Sequence, residues 1–236
     1  MNEKIDVVIC TRDESNVRPK LMSALESSSW RGKIILETSS PLSYARVRAI
    51  RHCFSDYVLY LDDDVEIPKD LAERYLPHMK SDVIAVSSQA YDQNKHWLAY
   101  RRALYQLYPN HHAIKGNFDN RAFIIRRSFM EQYNPPPLFF CEDTHLHKAA
   151  MQKGKWVHLE YCGVNHYPHY RNWAYWGYAA QQLKLNERSP VVSLPGRLLV
   201  SYISFLFTLD LKTLHFSLKY VVQWFSGYLM AKLDGE

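Results

Sequence analysis

Apolar and polar positions alternate along the first ninety residues in blocks that indicate strands followed by helices. Short apolar runs that are typical of buried strands lie at 5–10, 33–37, 57–61 and 82–87. Stretches whose apolar residues have helical spacing separate them, at 18–28, 43–54 and 69–79. This alternation predicts an α/β fold with a doubly wound, mostly parallel sheet, in which ligands bind at the carboxyl ends of the strands.

Polar clusters follow three of these strands directly, at Thr11–Glu14, Glu37–Ser40 and Asp62–Asp64. All three fall at carboxyl ends, where such folds bind their ligands. The last cluster holds three consecutive carboxylates, which repel one another unless a cation neutralises them. A site for Mg²⁺ or Mn²⁺ carrying the phosphates of a substrate suits this arrangement, and a solvated acidic turn is the alternative.

The pattern is looser in the second half of the chain. Segment 121–126 predicts a further strand, and Glu142 and Asp143 open a helix that ends near Lys153. Both carboxylates suit the positive N-terminal end of a helix, where they are stabilising without any catalytic role.

The last forty residues are strongly apolar and aromatic. Arg197–Leu211 and Tyr220–Met230 are each shorter than the roughly 18–20 apolar residues that span a bilayer. Their apolar residues have helical spacing: Leu198, Tyr202, Phe205, Leu209, Leu218, Val221, Val222, Phe225 and Leu229. We expect two amphipathic helices in the membrane interface, with Trp224 and several tyrosines at the level of the headgroups. Packing on the core, or a dimer interface, is the alternative.

Composition excludes several classes of protein. Hydrophobic residues make up 47% of the chain and charged residues 22%, which is typical of a globular protein. The net charge is +5 and the basic residues form no long run, so we expect no nucleic-acid partner. The four cysteines lack CxxC spacing, which disfavours a zinc site. The first residues show no signal-peptide pattern, so we expect a peripheral or monotopic protein on the cytoplasmic side of the cell membrane.

Taken in order, the motifs resemble those of inverting family 2 glycosyltransferases, which have the GT-A fold. The matching segments are Cys10–Glu14, Glu37–Ser40, Ala45–Ile50, Leu61–Asp64, Gly116–Asn117, Arg126–Arg127 and Glu142–Asp143. Glu37, Ser39 and Val47 stand where the family usually has Asp, Gly and Asn. The resemblance covers roughly residues 4–170. It implies a GT-A, Rossmann-like catalytic domain at 1–190, followed by the amphipathic helices for membrane association at 191–236.

The resemblance also implies roles for individual residues. Asp62 and Asp64 would be the DxD pair that holds the metal, with His166 as a third ligand; His169 competes for that place, and a structural hydrogen bond is the alternative. The residues on the nucleotide side would be Thr11, Arg12, Asp13, Glu37, Asp62 and Asp63. Of these, we expect Asp63 to be solvent-exposed and expendable. Gly116 and Asn117 would contact the donor sugar. Asp143 would be the general base, and Glu142 would position hydroxyl groups. Arg126 and Arg127 would pair with phosphates or coat the surface.

The function implied is a metal-dependent inverting hexosyltransferase with Mn²⁺ or Mg²⁺ as cofactor. A looser likeness of the tail to polyprenyl-phosphate mannosyltransferases favours GDP-mannose as donor and a membrane-associated, possibly lipid-linked acceptor; UDP-glucose and UDP-GlcNAc stay open. A nucleotidyltransferase normally has a glycine-rich phosphate loop after its first strand, where this chain has Thr11–Glu14. A non-catalytic nucleotide- or lipid-binding membrane adaptor would tolerate Asp143→Asn.

Overall fold

The computed structural model describes residues 4–107, 121–137, 142–167, 174, 177–178, 181 and 190–233. The chain divides into two compact units, one comprising residues 1–91 and 117–167 and the other residues 92–116 and 168–236. The second unit therefore contains a segment from the middle of the chain in addition to the tail. That residues 191–236 form a separate functional domain stays a prediction.

The described part of the first unit is built on a mostly parallel sheet. The strands are β1 (Ile5–Cys10), β2 (Arg31–Glu37), β3 (Tyr57–Asp62), β4 (Val65–Glu66), β5 (Val83–Ser88), β6 (Tyr91–Asp92), β7 (Ala122–Arg126), β8 (Lys155–Leu159) and β9 (Asn165–His166). Six of them form one sheet in the order β2-β1-β3-β7-β5-β8, and β4-β9-β6 form a small second sheet. Only β7 runs antiparallel to its neighbours in the larger sheet, so the prediction of a mostly parallel α/β sheet is confirmed.

Helices follow most of the strands. Within the described residues they are α1 (Pro19–Glu26), α2 (Leu42–Ile50), α3 (Leu71–Tyr75), α4 (Lys95–Leu107), α5 (Arg127–Gln132), α6 (Glu142–Met151), α7 (Pro190–Thr208) and α8 (Leu211–Leu233). The helix expected over 69–79 is shorter, because it begins at Leu71 and passes into a 3₁₀ turn at Leu76–His78. Pro77 explains this end, since it has no N–H to continue the α-helical hydrogen bonds.

The large sheet is buried on both faces. Leu59 and Leu61 of β3 pack in one apolar cluster, which includes Leu21 of α1 and Leu71 of α3. Their neighbours in the strand belong to a second cluster on the opposite face, which contains Val58, Tyr60, Phe123, Ala49 and Leu146. Successive side chains of a strand point to opposite faces, so burial of both faces gives the continuous apolar run seen in the sequence.

In the second unit, α4, α7 and α8 pack around an aromatic cluster formed by Tyr100, Val200, Tyr220, Val221, Trp224 and Tyr228. A side chain at Gly227 would collide with the backbone of Ala174, so this position requires glycine. The expectation that Trp224 lies at the level of the lipid headgroups is wrong, because its side chain is buried in this cluster. Within the described residues, no helix is long and apolar enough to cross a membrane.

Candidate active site

The polar clusters meet at one edge of the sheet. The register places Cys10 opposite Glu37 on one side and opposite Asp62 on the other, so the carboxyl ends of β1, β2 and β3 lie next to one another. The N–H of Thr11 donates to the carbonyl oxygen of Glu37 at 3.1 Å, which continues the pairing one residue beyond the strand. Burial raises the pKa of the Cys10 thiol to about 12, so it carries no charge among these carboxylates.

The backbone of the acidic triplet is held by three different segments of the chain. The N–H of Asp62 donates to the carbonyl of Arg121, and the carbonyls of Asp63 and Asp64 accept from the N–H groups of Arg18 and Tyr167, at 2.9, 3.1 and 2.8 Å. A turn that is fixed at each residue presents its carboxylates in a defined direction. The triplet is therefore not a loose acidic turn in solvent.

Asp64 and His166 form a buried pair. Antiparallel pairing of β4 with β9 places Val65 opposite His166, which brings the imidazole to the triplet across about a hundred residues of chain. Nε2 of His166 lies 3.1 Å from Oδ2 of Asp64, and both residues are only 1% exposed. A guanidinium nitrogen of Arg121 also contacts this imidazole nitrogen. A carboxylate and an imidazole, both of which can bind a metal ion, thus lie together with the guanidinium of Arg121 at this edge of the sheet.

Asp62 faces a different partner, the buried guanidinium of Arg46 in α2. Nη2 of Arg46 lies 3.7 Å from Oδ1 of Asp62 and 3.0 Å from Oε1 of Glu142, the first residue of α6. The guanidinium carbon lies 5.2 Å from the centre of the Phe123 ring, which adds a cation–π contact. Arg46 therefore links the end of β3 to the start of the helix that carries Glu142 and Asp143.

Glu142 has a strongly perturbed carboxyl. Burial raises its pKa to about 7; the attraction of Arg46 opposes this rise, and the nearby carboxylates of Asp143 and Asp62 add to it. The salt bridge with Arg46 alone would lower the pKa of the Glu142 carboxyl. Here burial and the two neighbouring carboxylates outweigh the attraction of Arg46, so the pKa of Glu142 is raised.

Within the part of the chain that the structure describes, no group of three or more His, Cys, Asp or Glu side chains is arranged to hold a metal ion. The predicted ligand set of Asp62, Asp64 and His166 is therefore not preassembled. The structure brings Asp64 and His166 together, while Asp62 lies beside Arg46.

Several residues that were predicted to lie on the nucleotide side form hydrogen bonds within their own loops or with a neighbouring loop. The hydroxyl of Thr11 donates to Oδ2 of Asp63 at 2.6 Å. Asp63 is half-buried, so the expectation of simple solvent exposure is wrong. Asp13 accepts from the N–H of Ser15 at 2.9 Å, which caps the 3₁₀ turn at Glu14–Asn16 and lowers the pKa of the Asp13 carboxyl.

The remaining predicted residues differ in how they are placed. Arg12 is exposed, and Glu37 is half-buried with Oε1 accepting from the N–H of Ser39 at 2.9 Å. Asp143 is half-buried beside Glu142 in the first turn of α6. Gly116, Asn117 and His169 lie outside the described residues.

Arg126 and Arg127 lie at the other end of the sheet from the acidic triplet. Because β7 is antiparallel to β3, Arg126 pairs with Tyr57 at the start of β3, a strand length of about 17 Å from its carboxyl end. Arg126 donates to the carbonyls of Lys80 and Val83, and Arg127 donates to that of Ser55. Both arginines tie loops together, and the interpretation as phosphate ligands is wrong.

Two arginines at the site received no role from the sequence. Arg46 lies between Ala45 and Ala49 on the buried side of α2, and a charged residue among buried positions was the available signal. Arg121 directly precedes β7, and nothing in the sequence pattern marks it as a neighbour of His166.

We expect Arg46→Met to lower the free energy of unfolding by about 3 kcal/mol, because the variant leaves Glu142 and Asp62 without their buried cation. Arg48→Met is the matched control, since Arg48 is an exposed residue of the same helix; it should change the free energy by less than about 0.5 kcal/mol. Urea unfolding of both variants and the parent measures the difference. Equal stability of the two variants would show that the ion pairs of Arg46 contribute nothing.

We expect the stability of the metal-free protein to fall between pH 4.5 and 7. The folded protein keeps a proton on Glu142 up to a pKa of about 7, whereas the unfolded chain releases it near its ordinary value of 4.5. The stabilisation is therefore complete below the unfolded pKa and is lost as the pH rises through the folded one, a total of about 3 kcal/mol. Unfolding of the parent and of Glu142→Gln across this range measures it. Parallel pH profiles for the two proteins would contradict the assignment.

Solved structures with the same fold are found among sugar-nucleotide enzymes. Glucosyl-3-phosphoglycerate synthase from Mycobacterium tuberculosis, in complex with Mn²⁺, UDP-glucose and phosphoglyceric acid, matches with a TM-score of 0.55 and 14% identity, over 77% of each chain. The same enzyme with Mg²⁺ and UDP matches with a TM-score of 0.53 and 13% identity, again over 77% of each chain. At this identity the likeness establishes the GT-A fold.

The family follows from the sequence itself. None of the curated proteins matches the chain. The model of the family described as "Glycosyl transferase family 2" matches residues 2–136, more than half of the chain, which includes the strand ends and the acidic triplet. The chain therefore belongs to glycosyl transferase family 2 and is a glycosyltransferase.

Proposed function

We propose that this protein transfers a hexose from a nucleotide-diphosphate sugar to an acceptor hydroxyl with inversion at the anomeric carbon, and that the reaction depends on Mn²⁺ or Mg²⁺. The observation that carries the proposal is the buried pair of Asp64 and His166 at the carboxyl edge of the sheet. The same edge holds Asp62, which Arg46 connects to the helix bearing Glu142 and Asp143.

The residues present fit a divalent metal. A carboxylate and an imidazole nitrogen are suitable ligands for Mn²⁺, and Mg²⁺ sites commonly use one or two carboxylates together with substrate phosphates and water. The described part of the chain shows no group of three such side chains, so substrate phosphates and water would have to supply the remaining ligands. Asp64 and His166 would hold the ion, with Asp62 nearer the ribose or a metal-bound water. When bound, the ion supplies positive charge for the departing diphosphate.

The proton transfer is assigned to Asp143. In an inverting reaction the acceptor oxygen bonds to the anomeric carbon on the face opposite the diphosphate, which leaves with the electron pair of its bond to that carbon. The proton of the acceptor hydroxyl passes to the Asp143 carboxylate, the half-buried member of the pair at the start of α6. Glu142, which is held by Arg46 at the start of the same helix, would position a sugar or acceptor hydroxyl.

The donor has two candidates. GDP-mannose is the predicted donor, supported by the likeness of the tail to polyprenyl-phosphate mannosyltransferases, which also favours a membrane-associated, lipid-linked acceptor. UDP-glucose is the second candidate, because the similar solved structures hold UDP or UDP-glucose.

The test is a donor panel. The full chain is incubated with Mn²⁺, with GDP-mannose, UDP-glucose or UDP-GlcNAc as donor and with a polyprenyl phosphate or phosphoglyceric acid as acceptor, and the released nucleoside diphosphate is measured. We expect release from one donor above the others, abolished by EDTA and restored by Mn²⁺. Release that is insensitive to EDTA would overturn the metal-dependent mechanism, and the lack of release from every sugar nucleotide tested would overturn the proposed function.

A further inference from the structure

Helix α8 carries an exposed apolar stripe on the side opposite its buried face. Five apolar residues recur at intervals of seven, four, seven and four positions, which places them on one face of the helix: Leu211, Leu218, Val222, Leu229 and Leu233. Each of them is between 37% and 72% exposed. These five residues are called the apolar stripe below. The other face of the same helix is filled by Trp224 and Tyr228, so α8 is apolar on two sides.

Helix α7 repeats this arrangement. Leu198, Tyr202 and Leu206 follow one another at intervals of four residues and are exposed. On its other side Ser204 is buried, and its hydroxyl lies 3.4 Å from that of Ser217 in α8. Small side chains let the two helices approach closely, and the large apolar side chains point away from the contact. Among the described residues of the second unit, both helices therefore have exposed apolar faces.

The charge of these helices is strongly one-sided. Together α4, α7 and α8 contain seven Lys and Arg residues (three, one and three) and no Asp or Glu. Asp210, between α7 and α8, lies 3.4 Å from Lys95 and is thereby neutralised. The three lysines of α8, Lys212, Lys219 and Lys232, are exposed.

A further cation borders the exposed apolar side chains of α7. The guanidinium of Arg102 in α4 lies 5.3 Å from the centre of the half-exposed Phe207 ring. This contact places a positive charge directly beside an apolar surface. Basic and apolar groups are thus combined on the same helices, as in proteins that bind the interface of an anionic membrane.

We propose that the apolar stripe docks on the surface of a bilayer that contains anionic lipids, with α8 lying in the membrane plane. Apolar side chains gain by entering the boundary between headgroups and acyl chains, and lysines beside them bind lipid phosphates through stems that stay in apolar surroundings. A second copy of this chain fits less well, because a two-fold contact through the stripe would bring like charges together.

The inference is tested on the full chain with vesicles of phosphatidylcholine alone or mixed with phosphatidylglycerol. The parent should sediment with the mixed vesicles and be released by high salt. The triple variant Leu218→Gln, Val222→Gln and Leu229→Gln should lower the partition coefficient at least about tenfold, because three apolar side chains no longer enter the interface. Phe54→Gln is the control, since Phe54 is 79% exposed in the first unit; it should retain the parent's partition within about twofold.

Binding of GDP and UDP with Mn²⁺, measured on the same preparations, reports whether the variants are folded. Equal partition of the triple variant and the parent, or no binding of the parent to mixed vesicles, would overturn the inference and leave the glycosyltransferase proposal untouched. Light scattering measures the oligomeric state of both proteins. If the parent is a dimer and the triple variant is a monomer, a second copy of the chain covers the stripe, and the membrane inference is wrong.

Discussion

Asp143→Asn is expected to lower the rate of sugar transfer by about 10²- to 10⁴-fold while leaving metal-dependent donor binding unchanged. The amide has the shape of the carboxylate but cannot accept the proton of the acceptor hydroxyl, and a general base contributes this much to such reactions. Transfer is measured as released nucleoside diphosphate at saturating donor and acceptor. Donor binding is measured separately by calorimetry, because the loss should lie in the chemical step.

Asp70→Asn is the matched control for this change. Asp70 is a half-exposed carboxylate whose described ion pair is with Arg74 at 2.9 Å, so its loss should leave the rate within about twofold. If Asp143→Asn keeps more than about a tenth of the parent's rate, Asp143 is not the base. Retained function in this variant is also what a non-catalytic nucleotide- or lipid-binding adaptor would show.

Asp64→Asn should remove the effect of Mn²⁺ on nucleotide binding and lower transfer by about 10³-fold. The substitution keeps the size of the buried side chain beside His166, but it removes the negative charge that binds a divalent ion. The departing diphosphate would then lack its counter-charge in the transition state. Nucleotide affinity with and without Mn²⁺, together with the transfer rate, measures both consequences.

Because Asp64 is buried, its substitution could destabilise the fold as well as the site. The thermal unfolding temperature of the variant, compared with that of the parent, distinguishes these two effects. A variant that unfolds like the parent and has lost the response to Mn²⁺ supports the assignment. The same variant with an intact Mn²⁺ response would show that the ion binds elsewhere, and Asp62 would then be the carboxylate to replace next.

The strands that position the site are readable in the sequence. The run at 57–61 differs from β3 by one residue and that at 5–10 matches β1, because burial of both faces of the sheet makes these strands apolar at nearly every position, with Asp6 as the exception in β1. Chain reversals at the carboxyl ends are polar, so the clusters that begin at Thr11, Glu37 and Asp62 mark the ligand edge. The pattern therefore predicts where the candidate site lies.

The contacts within the site are not readable in the same way. Pairing of His166 with Asp64 depends on two short strands, β4 and β9, which are too brief to leave an alternating pattern. The role of Arg46 depends on the approach of α6 to α2, which no local periodicity encodes. The burial of Trp224 could not be predicted for a similar reason: helical spacing identifies the apolar positions of a helix but does not show which face another helix covers.

The charges around Arg46 suggest how the site holds its carboxylates without metal. Burial and the nearby carboxylates of Asp143 and Asp62 raise the pKa of Glu142 to about 7, so this group holds a proton up to near neutral pH. A divalent cation beside Asp62 would remove part of the repulsion that raises this pKa. We therefore expect Mn²⁺ to lower the pKa of Glu142, and the pH dependence of stability to weaken when Mn²⁺ and a nucleoside diphosphate are present.

Calorimetric titration of GDP and of UDP into the full chain, with Mn²⁺ and with EDTA, tests the central claim of a metal-dependent sugar-nucleotide site most directly. We predict that one nucleotide binds more tightly than the other and that its binding is lost or greatly weakened in EDTA. Equal binding of both nucleotides, unaffected by removal of the metal, would contradict the site as described.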